Sequence, residues 1–359
     1  MPIFIKSEEV VGNMTAPLCE YKFRSGETCG EKCGEDVYET PPYHICRVYI
    51  ENGRERYREE EYEPPPYCIL HLELPIEVDP QYDKIKSAKD DKVQEKIDPK
   101  NPDFNFEGAK IYSIDLSRRK GIIDLNFMDA TIKGDARFKN ATIERSAVFD
   151  NAMIKGDAWF ENATVERWAV FDNATIGGSA SFENATIEEW AVFDNATIGG
   201  SVRFKNVKIK GVASFENAKI EWSSSFDNAA IKGKVRFDKT TIKGDVSFDN
   251  ATLEGESFTC HTAEIIGGLS FEKTLFASLK SQEEACRKAK QAWDKLGDRK
   301  TADDYFYREL VAKRKQKNRF MRYLEYVPAQ VIFGYGVHPN GCSVFSHCLS
   351  LRSDSSTRQ

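Results

Sequence analysis

SFENATIEEWAVFDNATIGGSVRF, residues 181–204, says nearly the same thing twice. Phe182, Phe193 and Phe204 stand eleven residues apart, and Ile187 and Ile198 follow the first two by five. A small residue sits two positions before each large one: Ala180, Ala185, Ala191, Ala196 and Val202. Small-x-large puts both side chains on one face of an extended segment, because strand side chains alternate with period two. A helix would need apolar neighbours at i+3 and i+4, and these are missing. Between the apolar pairs lie Gly, Asn and Asp, which tolerate left-handed backbone and make turns. Each eleven-residue unit is therefore two very short strands with two corners.

The pattern extends in both directions. Phenylalanine recurs every eleven residues from Phe127 to Phe248, and an aliphatic follows each by five, from Ile132 to Leu253. A finer period of 22 is present too. FENATVERWAVFDNATIGGSAS (160–181) is followed by FENATIEEWAVFDNATIGGSVR (182–203), with Trp168 and Trp190 in matching places. A coil of 22 residues closes four short sides into a square. Coils stacked by parallel strand pairing rise about 4.8 Å each, so residues 105–275 predict about eight coils and a rod roughly 35–40 Å long. Such a repeat buries each coil only against its neighbours, so its ends need caps.

This pattern resembles the pentapeptide-repeat family, whose motif is a small residue, a variable one, then Leu or Phe. The resemblance implies a mainly β protein built as a right-handed quadrilateral β-helix. The chain departs from the strict five-residue step by alternating five and six. Past Phe248 the register slips, with Phe258 after ten residues and Phe271 after thirteen. TCHTAE (259–264) is accordingly expected to be a bulge or loop.

The repeated N-A-T matches the glycosylation pattern at Asn140, Asn162, Asn173, Asn184, Asn195 and Asn250. The alternative is an asparagine ladder at one corner, each side chain bonding the next coil. Regularly spaced carboxylates such as Glu183 and Asp194 fit a solvated turn better than acid–base chemistry. The five histidines, at 44, 71, 261, 338 and 347, form no cluster in the sequence. The chain is expected not to be an enzyme.

Five of nine cysteines precede residue 69. Without a secretion signal, such clustering favours metal over disulfides. Cys68 and His71 in Y-C-I-L-H are three apart, and Cys19 and Cys29 flank a turn at Gly26. These four soft ligands suit a closed, structural zinc site, with Cys33, Cys46 and His44 as spares. The segment resembles small C-C-C-H zinc modules ending in Y-C-x-x-H. A small, proline-rich module of this kind needs such a staple to fold.

The domain boundaries follow. Residues 1–74 are the Cys/His module, 75–103 a charged linker with one short helix, 104–276 the β-helix, and 277–327 a helical cap. Residues 328–359 carry G-Y-G-x-x-P and an expected disordered tail. In the cap, Ser281-x-x-Glu284 and Thr301-x-x-Asp304 read as capping boxes. The second helix is expected from 302 to 326. RELVAKRKQKNRFMR (308–322) holds seven Lys/Arg against one Glu. It reads as a solvated helix face or as a basic belt beside anionic headgroups, through Lys313, Arg314, Lys315, Lys317, Arg319 and Arg322, with a nucleic-acid patch as a third, weaker option.

KQAWDKLGDRKTADDYFYREL followed by G-Y-G-x-x-P is similar to archaeal and bacterial proteins that join pentapeptide repeats to ion-channel-type membrane spans. In this chain the likeness stops near residue 339, and the last twenty residues look like a premature end or a shifted frame. The resemblance implies the spanless part of a membrane-associated protein.

The chain has 359 residues, net charge -6, 40% apolar and 30% charged residues. That mild acidity disfavours a nucleic-acid binder. With no apolar leader at the N-terminus and no apolar run of spanning length, the expected location is cytoplasmic, with membrane association through the basic helix. The expected role is a non-catalytic scaffold that presents a patterned surface to a protein partner, with Trp168 and Trp190 as contact residues or as corner packing. The alternative is a β-helix that mimics duplex DNA and binds a topoisomerase, which requires a strongly acidic rod. Oligomeric state is left open.

Overall fold

The computed structural model describes residues 43–51, 54–62, 70–71, 82–100 and 102–317. The chain divides into two units, 1–102 with 108–112 and 103–107 with 113–359.

In the first unit, β1 (Tyr43–Glu51) pairs antiparallel with β2 (Arg54–Tyr62), in register from Tyr43↔Tyr62 to Glu51↔Arg54. The short helix expected in the charged segment is α1, Tyr82–Lys96. Ile85, Lys89 and Val93 recur at i, i+4 and i+8 and form its buried face. Lys89 is fully buried, and its ammonium donates to the carbonyls of Lys110 at 2.8 Å and Leu70 at 3.5 Å. Carbonyl acceptors of this kind replace the water that the buried ammonium gives up.

The second unit holds the rod, a parallel β-solenoid of about eight coils with about 22 residues per turn. Every strand is two residues long. The first side stacks from Thr131–Ile132 to Glu264–Ile265. The second runs from Ile114–Asp115 to Leu269–Ser270, the third from Thr142–Ile143 to Leu275–Phe276, and the fourth from Leu125–Asn126 to Phe258–Thr259. Two-residue strands have no independent stability, so each is held by its neighbours above and below.

All side chains at the predicted inward positions are buried. Phenylalanines form two columns. Within a column the rings stack, as Phe171 on Phe193 at 4.7 Å and 2°. Across the axis they meet edge to face, as Phe182 against Phe193 at 5.6 Å and 87°. Both geometries place the positive ring edge or an offset face against the negative face of the neighbour. Each buried ring contributes about 1.5–3 kcal/mol.

The alternation of five and six residues corresponds to two kinds of corner. The tight corner follows each phenylalanine. In Phe193–Asp194–Asn195–Ala196, the Ala196 N–H donates to the Phe193 carbonyl at 3.1 Å, and Asn195 has φ +59°. Positive φ at the third residue is the type II requirement, which Asn meets at little cost. The same conformation recurs at every asparagine from Asn140 to Asn228 in this position and at Asn250. The expected asparagine ladder is made at two steps, Asn151 to Asp129 at 2.8 Å and Asn206 to Asn184 at 2.9 Å. The recurrent reason for Asn is therefore its backbone. The wide corner follows each aliphatic and carries one residue more.

The slip after Phe248 is a single insertion in a wide corner. Val235 pairs with Phe258, 23 residues on, as do Thr241 with Glu264 and Val246 with Leu269. The extra residue lies in 254–257. Phe258 thus occupies a small-residue position, and Cys260 takes the place in the column below Phe237. Within 259–264, expected as a bulge or loop, residues 260–263 keep the tight corner's hydrogen bond, the Ala263 N–H on the Cys260 carbonyl at 3.0 Å, but Thr262 does not take the positive φ of the asparagine corners.

Helices α2 (Leu279–Leu296) and α3 (Arg299–Lys315) close the rod's end. Their N-caps are Ser278 and Asp298, three residues before the expected ones. Ser281 and Glu284 serve the rod instead. The Phe258 N–H donates to Ser281 Oγ at 3.1 Å, and the Cys260 and His261 N–H groups donate to Glu284 Oε1 at 2.9 and 3.2 Å. The Phe271 N–H donates to Tyr305 Oη at 2.8 Å, while Trp293 Nε1 and Arg308 Nη2 donate to the Leu269 and Phe271 carbonyls at 2.9 and 2.6 Å. These backbone groups face where another coil would stack, and the helices satisfy them with side chains.

Candidate functional site

Outward positions carry whatever the rod does, since the inward ones are buried and nearly all apolar. On the fourth side, three consecutive coils repeat one pattern at alternate residues. Trp168, Val170 and Asp172 are matched by Trp190, Val192 and Asp194, and by Ser146, Val148 and Asp150. The pairing Val148↔Val170↔Val192 sets these in register. The result is an aliphatic and an acidic column across all three coils, with an aromatic column beside them in two, where Ser146 stands in place of a tryptophan in the first.

Trp168 and Trp190 stack at 5.9 Å and 20°. The Arg167 guanidinium lies over the Trp168 ring at 4.3 Å, and Trp168 Nε1 donates to Glu189. Trp190 leans on the next coil, where a Cβ at Gly211 would run into its ring. It is nevertheless 49% exposed. The pair is both corner packing and surface. Trp222, outside the repeated W-A-V-F-D pattern, is 65% exposed at the wide corner between the first and second sides. Its signal was a tryptophan at a position otherwise held by Gly, Arg or Glu.

In the acidic column, burial and the adjacent Asp150 and Asp194 push the Asp172 carboxyl up to about 6. Asp194 is better supported, accepting from Ser214 Oγ at 2.6 Å and the Glu216 N–H at 2.8 Å. Glu183 and Asp194 follow phenylalanines of different columns, so they are not a pair. Elsewhere, acids are matched by bases one coil away: Lys139 with Glu161 at 3.0 Å, Arg145 with Asp124 at 3.2 Å, Arg167 with Glu189 at 3.4 Å, and Lys243 with Glu221 at 2.6 Å. Exposed pairs of this kind add at most about 1 kcal/mol each. Their effect is to break the acidic columns into alternating charge.

Of the expected zinc ligands, Cys19, Cys29 and Cys68 lie outside the described residues, as does Cys33; His71 is described and buried. The backbone of His44 and Cys46 runs in β1. Among the described residues, no group of three or more His, Cys, Asp or Glu is placed to hold a metal. Cys260 and Cys286 are buried under the cap, and burial raises both thiols, Cys286 to about 11. Both pack in the interior, where burial disfavours the thiolate.

Of the basic belt, Lys313, Arg314 and Lys315 form the last turn of α3, where cations suit the helix dipole. Arg314 is buried, which takes its side chain out of a surface belt. Lys317 follows the helix, and Arg319, Arg322 and the G-Y-G segment lie outside the described residues. No helix among the described residues is long and apolar enough to cross a membrane.

Four sides, each presenting a small residue and a large one inward, restate the five-residue motif in three dimensions. The family model for pentapeptide repeats (nine copies) matches residues 124–164, 166–208 and 215–259. The rod is a pentapeptide-repeat domain. No curated protein and no solved structure matches the chain. The fourth-side pattern W-A-V-F-D falls at residues 168–172 and 190–194, both inside the matched stretch 166–208 of the pentapeptide-repeat domain.

Proposed function

We propose that the protein is a non-catalytic interaction scaffold whose pentapeptide-repeat rod displays side chains to a protein partner. The observation that supports this most is the division of labour within each coil. The interior is almost wholly apolar, with Ser224 and Thr240 among the few buried polar side chains, and the carboxylates and bases of the repeats lie at corners and outward positions, in columns, fixed in register by the coil below. A rigid grid of this kind presents contacts at low entropic cost.

The DNA-mimic alternative draws less support. A duplex mimic needs continuous negative columns, and the cross-coil pairs of Lys139, Lys210 and Lys243 with glutamates interrupt them. The membrane-associated reading rests on the basic end of α3 and on the resemblance of the cap sequence. Its separate check is sedimentation with anionic vesicles.

The test of the scaffold is site-specific photocrosslinking in lysate of the source cells, with the probe at Thr197, Ser225, Thr186 or Val192, one on each side. The expected result is a discrete protein adduct from one side. No discrete adduct from any side would contradict the reading.

A further inference from the structure

We propose that the fourth side of the rod, across the coils of Val148, Val170 and Val192, is the docking face for a basic amphipathic helix of a protein partner. This rests on the scaffold reading and deepens it by naming the face and the chemistry of what binds there.

The geometry first excludes a strand. A peptide can add to a sheet only where backbone N–H and C=O groups are open. Here they are consumed by the coils on either side, as the Phe171 N–H is by Val192 and the Phe193 N–H by Ser214, both at 2.8 Å. A partner must therefore bind through side chains alone. The three valines make a partly exposed apolar column, and Trp190 stands beside it, 49% exposed. Rows rising about 4.8 Å each come close to the 5.4 Å pitch of an α-helix. A helix lying along the rod axis can seat apolar residues at i, i+4 and i+7 on the valines.

Charge then selects the occupant. One flank of the valine column is the line Asp150, Asp172, Asp194, and in neighbouring coils its continuation is Glu216 and Asp238. On the opposite flank, the arginines are already engaged, Arg145 by Asp124 and Arg167 by Glu189. The three carboxylates crowd one another, and burial plus its two neighbours raise Asp172. Lys or Arg from a bound helix would relieve that crowding. The footprint spans only three coils, so the complex is expected to be weak and transient.

The experiment uses the full chain and a labelled amphipathic Leu/Lys helix of about fourteen residues, long enough for four turns. Fluorescence anisotropy should give a Kd on the order of 10 μM. The combined variant Asp150→Asn, Asp172→Asn, Asp194→Asn should weaken binding about tenfold or more, as should Val170→Lys. A Leu/Glu helix of the same shape should not bind. Glu161→Gln with Glu183→Gln, at the other tight corner, should leave affinity unchanged. Equal binding by the aspartate variant, or loss only in the Glu161/Glu183 control, would overturn the proposal. So would a dimer of the chain, in sedimentation, that Val170→Lys dissolves, since the face would then belong to a second copy. A partner crosslinked only through another side would leave the scaffold reading standing and retire this one.

Discussion

The two corners of the coil differ by one residue and in almost everything else. The tight corner is fixed by backbone physics: a left-handed third residue, an N–H returned to the phenylalanine carbonyl, and a phenylalanine buried on its near side. Its composition hardly varies. The wide corner has slack. It reads Lys-Gly-Asp at 133–135, Glu-Arg-Trp at 166–168, Gly-Gly-Ser at 177–179 and Glu-Trp-Ser at 221–223. It is also where the extra residue near 254–257 is absorbed while the columns continue. One corner keeps the fold, and the other writes on the surface.

The sharpest way to break this comparison is to insert one residue in each. A glycine between Asp194 and Asn195 shifts the tight corner and turns the following inward set outward. The expected result is loss of the cooperative thermal transition seen by circular dichroism. The same glycine inserted between Gly200 and Ser201 should leave a folded rod with a lower Tm.

Next in size, Ile198→Lys would bury an unpaired charge between Ile176 and Ile220. It should cost at least about 3 kcal/mol and leave little folded protein by urea denaturation. At the neighbouring tight corner, Asn195→Ala keeps the turn but places Ala at φ +59°, for about 1–2 kcal/mol in the same assay. Asn195→Gly should be close to neutral.

A smaller effect depends on pH. Asp172 titrates near 6 in the fold, above its ordinary value of 3.8. The folded state then binds more protons than the unfolded one between those values, so this carboxylate lowers stability as pH rises from about 4 to about 6. Asp172→Asn should raise Tm at pH 7 and leave it unchanged at pH 3. Equal shifts at both would mean the aspartate's packing, not its charge, is at issue. Smallest of all, Trp222→Ala at an exposed wide corner should change stability by under about 0.5 kcal/mol.

The interior was legible because two signals coincide there. The eleven-residue period names the side chains, and alternation aims them inward. Legibility failed where another element took over a residue's role. Phe258 looks like a member of the large column, yet it stands in a small position beneath the cap, and Cys260 takes the column. Ser281-x-x-Glu284 has the spelling of a helix start, but its side chains are spent on the N–H groups of Phe258, Cys260 and His261, and Ser278 caps the helix. No local pattern reveals that the open end of a solenoid needs those donors met. The fourth-side face was half legible. Trp168 and Trp190 stood out, whereas the valines and aspartates beside them emerge only when 22-residue rows are aligned in register. The proposed zinc ligands Cys19, Cys29 and Cys68 fall outside the described residues, and elemental analysis of purified protein is their direct check, with about one zinc per chain expected.

The central claim is that fold and surface are separable in this molecule. Its most direct test replaces Val170, Val192 and Trp190 with serine and Asp172 with asparagine in one chain, then measures melting and partner crosslinking together. The expected result is a single cooperative transition that survives, shifted by no more than a few degrees, and loss of the crosslinked adduct from the fourth side. An unfolded variant, or a folded one whose adduct persists, would contradict it.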